Sequence, residues 1–313
     1  MTTSAPTVTL AVRRLLVAAG QAPSVLNTQP WRFRVGEGQV IDLLADWDRW
    51  LPVSDPRGRC LHVSCGAALY NLRIAARAAG RRPVVRLLPD APRASEVLAR
   101  VDLSTRQSAA GEARRLYELI SRRRTSRAPY DPRPVPPRVL AELRAAASAE
   151  RARFLYLDRR SADDLLDYAA IAQDQLATQR DYLDELASWT NRQGLPAYVE
   201  GPQAIGEVDP VRDFGHRGGE ARFEPQPQLA VLTTAGDEPG DWLRAGQALQ
   251  RVLLVAAGYD ISASFLNQPL DLRDMRRHTD PRHRRGHPQM IMRLGFGPLV
   301  PRAPRRPATD LLA

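Results

Sequence analysis

The chain has 313 residues, and its 43% hydrophobic and 26% charged residues are the composition of a folded soluble protein with one large or two ordinary domains. That balance excludes wholesale disorder, and no apolar run is long enough to span a bilayer, so no membrane partner is expected. The formal charge of +10 rests on 45 basic residues that are all arginine, and a chain without lysine can form neither a pyridoxal phosphate Schiff base nor the lysine-dependent P-loop.

So uniform an arginine usage beside abundant Ala and Pro points to GC-rich coding, and no nucleic-acid partner is expected. In chain order, Val8 to Ala19 is a helix; Arg13 and Arg14 interrupt it where a signal peptide would be apolar, so it is read as an amphipathic helix of a cytoplasmic protein. Strand patterns follow at Trp31 to Val35 and Val40 to Leu44. Cys60 and Cys65, with no further cysteine, form neither a zinc nor a thioredoxin motif and are read as buried thiols. Next come a helix over Gly66 to Ala79, a strand over Val84 to Leu88, and helices over Gly111 to Arg122 and Arg138 to Ala147. A strand over Phe154 to Leu157 precedes a long helix from Ser161 to Ala187, with Ser161 and Asp164 in capping-box spacing. A strand over Leu229 to Thr233, a helix over Trp242 to Ala257 and a strand over Met290 to Leu294 complete the series. Gly80 and Gly258 stop their helices. Such interleaving predicts a mixed fold, assigned to the α+β class.

Gly66, Ala68, Leu69, Leu72, Ile74 and Ala76 share their spacing with Gly246, Ala248, Leu249, Val252, Leu254 and Ala256. This faint repeat predicts two similar lobes, residues 1–120 and 121–313. From Gly194 to Pro227 the chain is rich in Gly and Pro, with Tyr198, Phe214, His216 and Phe223 and no clear period, which reads as a lid over a site. His278, His283 and His287 sit among arginines that would repel a dication; no metal site is expected there, and a solvated surface loop is the default.

Two segments carry chemistry. Arg122 to Arg127 reads Arg-Arg-Arg-Thr-Ser-Arg, guanidinium forks beside hydroxyls where a helix gives way to extended chain: either a dianion site or a solvated basic helix end. Ala22 to Phe33 reads Ala-Pro-Ser-Val-Leu-Asn-Thr-Gln-Pro-Trp-Arg-Phe, with Ser24 and Asn27 as side-chain hydrogen-bonders in a loop stiffened by Pro23 and Pro30.

Arg123-Arg124-Thr125-Ser126-Arg127 resembles the Arg-x-Ser-x-Arg phosphate motif of the flavin-dependent nitroreductase family. Ala22 to Trp31, including Gln29, is similar to that family's Ala-Pro-Ser-x-x-Asn-x-Gln-Pro-Trp signature beside the flavin. Asp55 to Arg59, Trp242 to Leu249 and Pro304 to Pro307 look like the actinobacterial Acg-like branch, and the likeness spans nearly the whole chain. The resemblance implies a nitroreductase-like fold, two lobes with central, mostly antiparallel sheets flanked by helices, and one FMN between them. Family members usually place each FMN across a dimer interface, whereas here the two motifs are divided between the halves, which implies a fused pseudo-dimer, a monomer or weak homodimer, with one site kept and one lost. Pro23, Ser24, Asn27 and Gln29 would border the ring, and Arg123, Arg124, Thr125, Ser126 and Arg127 the phosphate, with Arg305 and Arg306 returning to it. Ser264 and Leu266 lie in the stretch resembling the reactive edge, where a backbone amide would meet the flavin N5. No side-chain acid or nucleophile is expected, because the flavin performs the redox step. The implied activity is NAD(P)H-dependent reduction of a small electrophile such as a nitro compound or quinone. The rival is a protein that stores FMN beneath a lid with little turnover.

Overall fold

The structure is a computed structural model that describes residues 9–90, 96–190, 194–206, 212, 214, 218–272 and 286–313. Two four-stranded antiparallel sheets organise it, each built from one half of the chain. The first contains β1 (Trp31–Val35), β2 (Val40–Ala45), β3 (Val84–Leu87) and β4 (Val97–Asp102) in the order β1-β2-β4-β3. In β1 the side chains alternate, Trp31 and Phe33 buried and Arg32 exposed, which fixes the face turned to the core. Each fully buried aromatic contributes about 1.5–3 kcal/mol. Helices α1 (Leu10–Gly20), α2 (Arg59–Ala78) and α3 (Gly111–Ile120) close this half.

In the second half, α4 (Pro137–Ala149), β5 (Arg153–Tyr156), α5 (Arg159–Ala177) and α6 (Arg180–Trp189) come first, followed by the short parallel pair β6 (Gln203–Ala204) and β7 (Glu220–Ala221). After them run β8 (Gln228–Thr234), α7 (Pro239–Ala257), β9 (Ser262–Phe265), α8 (Gln268–Asp271) and β10 (His287–Gly295). The sheet order is β5-β8-β10-β9, with β8 and β10 almost wholly buried.

The repeated helices α2 and α7 cross at their glycines. A Cβ on Gly66 would lie 2.3 Å from the Leu243 carbonyl oxygen, and one on Gly246 would lie 2.0 Å from that of Val63. Each glycine meets the carbonyl three residues before the other, a reciprocal contact that only glycine permits. Beside the crossing, Gln250 donates to the Asn71 side-chain oxygen at 2.7 Å and Asn71 to the Ala18 carbonyl at 2.9 Å, tying α7, α2 and α1 together inside the core.

Several elements differ from the sequence reading. The helix expected over Ser161 to Ala187 is two helices that break at Thr178 and Gln179. Its N-cap is Asp158, whose side chain accepts from the Ser161 amide, so the Ser161–Asp164 pair is no capping box. Helix α2 starts seven residues before Gly66, where the Asp55 carboxylate accepts from the Cys60 and Leu61 amides at 3.0 and 2.9 Å. Strand β4 was not anticipated; its Arg100 is held in the sheet by a 2.7 Å ion pair with Asp42 on β2. His287 opens β10, whereas His278 and His283 lie outside the described residues, as does His216. Among the described residues no helix is long and apolar enough to cross a membrane.

After β10 the C-terminal segment leaves the second sheet and ends on the first. Leu312 bridges Phe33, and the Ala313 amide donates to the Phe33 carbonyl at 3.0 Å. This route carries residues 298–306 past the loop that joins α1 to β1.

Candidate functional site

Where α1 ends, the loop to β1 turns through Leu26, Asn27 and Gln29 with φ of 44°, 56° and 51°. Left-handed backbone at three non-glycine residues is costly, of order 1–3 kcal/mol each, and persists only under local constraint. Ser24 supplies one, its hydroxyl accepting from the Gln29 amide at 2.9 Å, and the Gln29 side chain another, donating to the Asn27 carbonyl at 3.2 Å. Asn27 is buried, and its amide donates to the carbonyls of Gly194 and Pro304 at 2.8 and 3.0 Å.

The arginine segment leaves α3 as extended chain along β9: Thr125 bridges Ala263, and the Ser126 amide donates to the Ala263 carbonyl at 3.1 Å. It faces the loop and the C-terminal segment across a cleft. Pro23, Ser24 and Asn27 line one side of this cleft, Arg123, Arg124, Thr125 and Arg127 another, and Arg302 and Arg305 a third; Leu195 and Val199 flank it. The two motifs, about a hundred residues apart in the sequence, therefore meet in one cavity.

Its electrostatics favour an anion. Burial, then Arg305, Arg124 and Arg302, push Arg123 down to about 9. Burial, then Arg302 and Arg124, push Arg305 down to about 10. A guanidinium keeps its proton under such conditions, so the depressions record burial first and then repulsion among neighbouring cations. The Nε atoms of Arg123, Arg124 and Arg305 are buried without a hydrogen-bond partner among the described residues. The partners these arginines do have are neutral: Arg123 reaches the Thr125 hydroxyl at 3.4 Å, Arg124 the Ser121 carbonyl at 2.7 Å, and Arg305 the Asn27 side-chain oxygen at 2.8 Å.

An apolar pocket adjoins the cleft, sharing Pro23, Ser24, Arg127 and Phe265 with it. Leu26, Val63, Phe214, Leu249 and Met290 supply its walls. Arg127 stands at the junction, donating to the Val199 carbonyl at 2.7 Å with its guanidinium 4.7 Å from the Phe214 ring centre; burial pushes it down to about 10. A polar, cationic cleft opening into an apolar pocket can hold a flat molecule with an anionic tail.

Not every residue singled out from the sequence reaches this cavity. Gln29 is buried beneath the loop, its side-chain oxygen accepting from the Arg306 amide at 2.9 Å. Arg306 turns away from Arg305 to Asp46 at 2.9 Å and to the Gln29 and Trp31 carbonyls, so it clamps the loop. Ser126 is fully buried, and it is the Thr125 hydroxyl that lines the cleft. Ser264 and Leu266 are also buried, and the Leu266 amide is used by the Ile291 carbonyl at 3.1 Å. That bond makes Phe265 and Met292 the non-hydrogen-bonded pair of the β9–β10 ladder, so the amide directed off this edge strand is that of Phe265. Arg302 was missed because nothing in its immediate sequence distinguishes it from neighbouring tail arginines.

No family model matches the chain. Two proteins of Mycobacterium tuberculosis (strain ATCC 25618 / H37Rv) are similar to it over nearly its full length. One, named "Putative NAD(P)H nitroreductase Rv3131", is 31% identical over 316 residues, covering 96% of this chain and 90% of that protein. The other, named "Putative NAD(P)H nitroreductase acg", is 28% identical over 342 residues, covering 96% and 94%. A solved nitroreductase with bound FMN from Desulfitobacterium hafniense DCB-2 aligns with a TM-score of 0.41 and 14% identity, over 64% of this chain and 97% of that one. On the extent and identity of the sequence matches, the chain belongs to the nitroreductase family, in the branch that contains Acg.

Proposed function

We propose that the chain is an FMN-binding, NAD(P)H-dependent oxidoreductase that reduces a small electrophile such as a nitro compound or a quinone. The observation that carries this reading is the group of buried, unpartnered Nε donors on Arg123, Arg124 and Arg305, clustered in a cleft that opens into an apolar pocket. A phosphate monoester fits that donor set: it is a dianion with several acceptor oxygens, and guanidinium forks match its geometry.

Arg123, Arg124, Arg302, Arg305 and the Thr125 hydroxyl would hold the phosphate, with Pro23 and Ser24 bordering the path to the ring pocket. When bound, FMN supplies the hydride chemistry. Arg127, at the junction, would supply a positive charge to the ring, and the Phe265 amide would offer it a hydrogen-bond donor. Phe214, Leu195 and Val199, from the Gly194 to Pro227 segment, act as a lid that keeps water from the site. Residues 1–120 and 121–313 are read as two fused lobes that share one flavin, each half carrying its own sheet and one of the crossing glycines. We place the protein in the cytoplasm as a monomer or weak homodimer.

Storage of FMN is the second reading. It is favoured by the bonds that Asn27 and Arg127 make to the Gly194 and Val199 carbonyls, which tie the covering segment to the residues of the cleft. The test is the visible spectrum of purified protein, followed by anaerobic mixing with NADPH or NADH. About one flavin per chain that bleaches rapidly supports the enzyme. Persistent yellow colour supports storage, and absence of flavin after reconstitution sinks both.

A further inference from the structure

Among the described residues that line the apolar pocket the charged ones are Arg127 and Arg212, and none is acidic. Arg127 belongs equally to the arginine cleft and has a cofactor role in the reading above. Arg212 does not line that cleft and is 7% exposed. Its Nη1 donates to Asp271 at 2.9 Å, and its Nη2 donates to the Tyr182 hydroxyl. Asp271 is anchored in turn by Arg59 at 3.9 Å. Two of the three faces of the guanidinium are thus fixed, and the third, Nε–H, has no partner among the described residues. A buried, charged side chain that lines a pocket and keeps one N–H without an acceptor is an incomplete hydrogen bond, and a ligand oxygen completes it most economically.

We propose that Arg212 anchors the electron acceptor, and that the acceptors this pocket selects are planar aromatic compounds bearing an oxyanion such as a carboxylate. The oxyanion would accept the Arg212 Nε–H, while Phe214, Leu249 and Met290, wall residues that the pocket does not share with the arginine cleft, would pack the aromatic ring, and the flavin ring would lie at the shared residues Pro23, Ser24, Arg127 and Phe265. With Arg127 in the same pocket, the site holds net positive charge even after Asp271 has matched Arg212, so a cationic acceptor is disfavoured. For a nitroarene, the substrate with NAD(P)H and one proton gives the nitrosoarene, NAD(P)+ and water. One N–O bond breaks, its oxygen leaves as water, and both electrons come from the nicotinamide. This inference rests on the apolar pocket being the redox site.

The test compares 4-nitrobenzoate with its neutral counterpart 4-nitrobenzamide on protein whose FMN content has been measured. In the native protein the carboxylate is expected to show a KM about tenfold or more below that of the amide, with similar kcat. In Arg212→Gln the ratio of the two KM values falls towards unity, and in Arg212→Lys it is intermediate. Should the variants not fold, unreactive benzoate and benzamide titrated into the native holoprotein decide the matter: tighter perturbation of the flavin spectrum by benzoate supports the anchor. A flavoprotein that bleaches with NAD(P)H yet treats acid and amide alike overturns the anchor alone. A protein without reducible flavin overturns the functional reading beneath it.

Discussion

The Asn27 side-chain oxygen accepts a 2.8 Å hydrogen bond from Arg305 Nη1 across 278 residues of sequence, while the same side chain donates to Gly194 and Pro304. One buried amide therefore joins the α1–β1 loop, the covering segment and the C-terminal arginine. Asn27→Ala removes one donor from each of the Gly194 and Pro304 carbonyls and one acceptor from Arg305, at a cost of about 1–3 kcal/mol in stability. FMN affinity, followed by quenching of flavin fluorescence, is expected to fall about tenfold. Asn27→Asp is the sharper test, because the carboxylate would neutralise Arg305 within the cradle and weaken FMN binding further than alanine does.

Arg305 and its neighbour Arg306 make opposite predictions. Arg305→Gln removes one charge-assisted contact and is expected to weaken FMN binding by about ten- to a hundredfold, with little effect on riboflavin, which has no phosphate. Arg306→Gln leaves the cleft intact but strips Asp46 of its partner, so urea denaturation should show a loss of about 1–3 kcal/mol with FMN affinity nearly unchanged. Equal effects of the two substitutions on FMN binding would contradict the assignment of Arg306 as a clamp.

The divergence of those two arginines marks the limit of what local sequence reveals. The Pro-Ser-x-x-Asn loop and the arginine run were legible because each packs its chemistry into a few adjacent residues, and both motifs line one cavity. Which tail arginine turns inward is decided by Asp46, some 260 residues away, and no local pattern encodes that. The choice between Leu266 and Phe265 as the outward amide is a matter of ladder parity, which shifts with one step of register. Strand β1 was readable because Trp, Arg, Phe and Arg alternate visibly. By contrast, the start of α2 was hidden because the partners of the buried Arg59, the Gln289 carbonyl at 2.6 Å and Asp271 at 3.9 Å, lie some two hundred residues away.

The α2–α7 crossing predicts a steep penalty for the smallest possible side chain. Gly66→Ala or Gly246→Ala places a methyl group 2.3 or 2.0 Å from a backbone carbonyl oxygen on the facing helix, which must move. A loss of about 3 kcal/mol or more is expected for each, measured by chemical denaturation, although alanine is the better helix former. Gly111→Ala, with no atom within 4 Å of the added carbon, serves as the control and should be neutral within about 0.5 kcal/mol.

Asp55 gives the fold a pH signature of defined sign. Burial raises its carboxyl from an ordinary value near 3.8 to about 6, against the opposing pull of Arg59 and the two α2 amides it accepts from. The folded state thus binds the proton more tightly than the unfolded chain, so this group's contribution is fully present below about pH 4 and is lost as pH rises through 6. A shift of that size corresponds to about 3 kcal/mol at most. Urea denaturation of the native chain and of Asp55→Asn, which cannot titrate, should therefore give curves of stability against pH whose difference shrinks in the native chain's disfavour between about pH 4 and 7. Parallel curves across that range would mean that the helix amides and Arg59 outweigh burial, leaving the carboxyl ionised throughout.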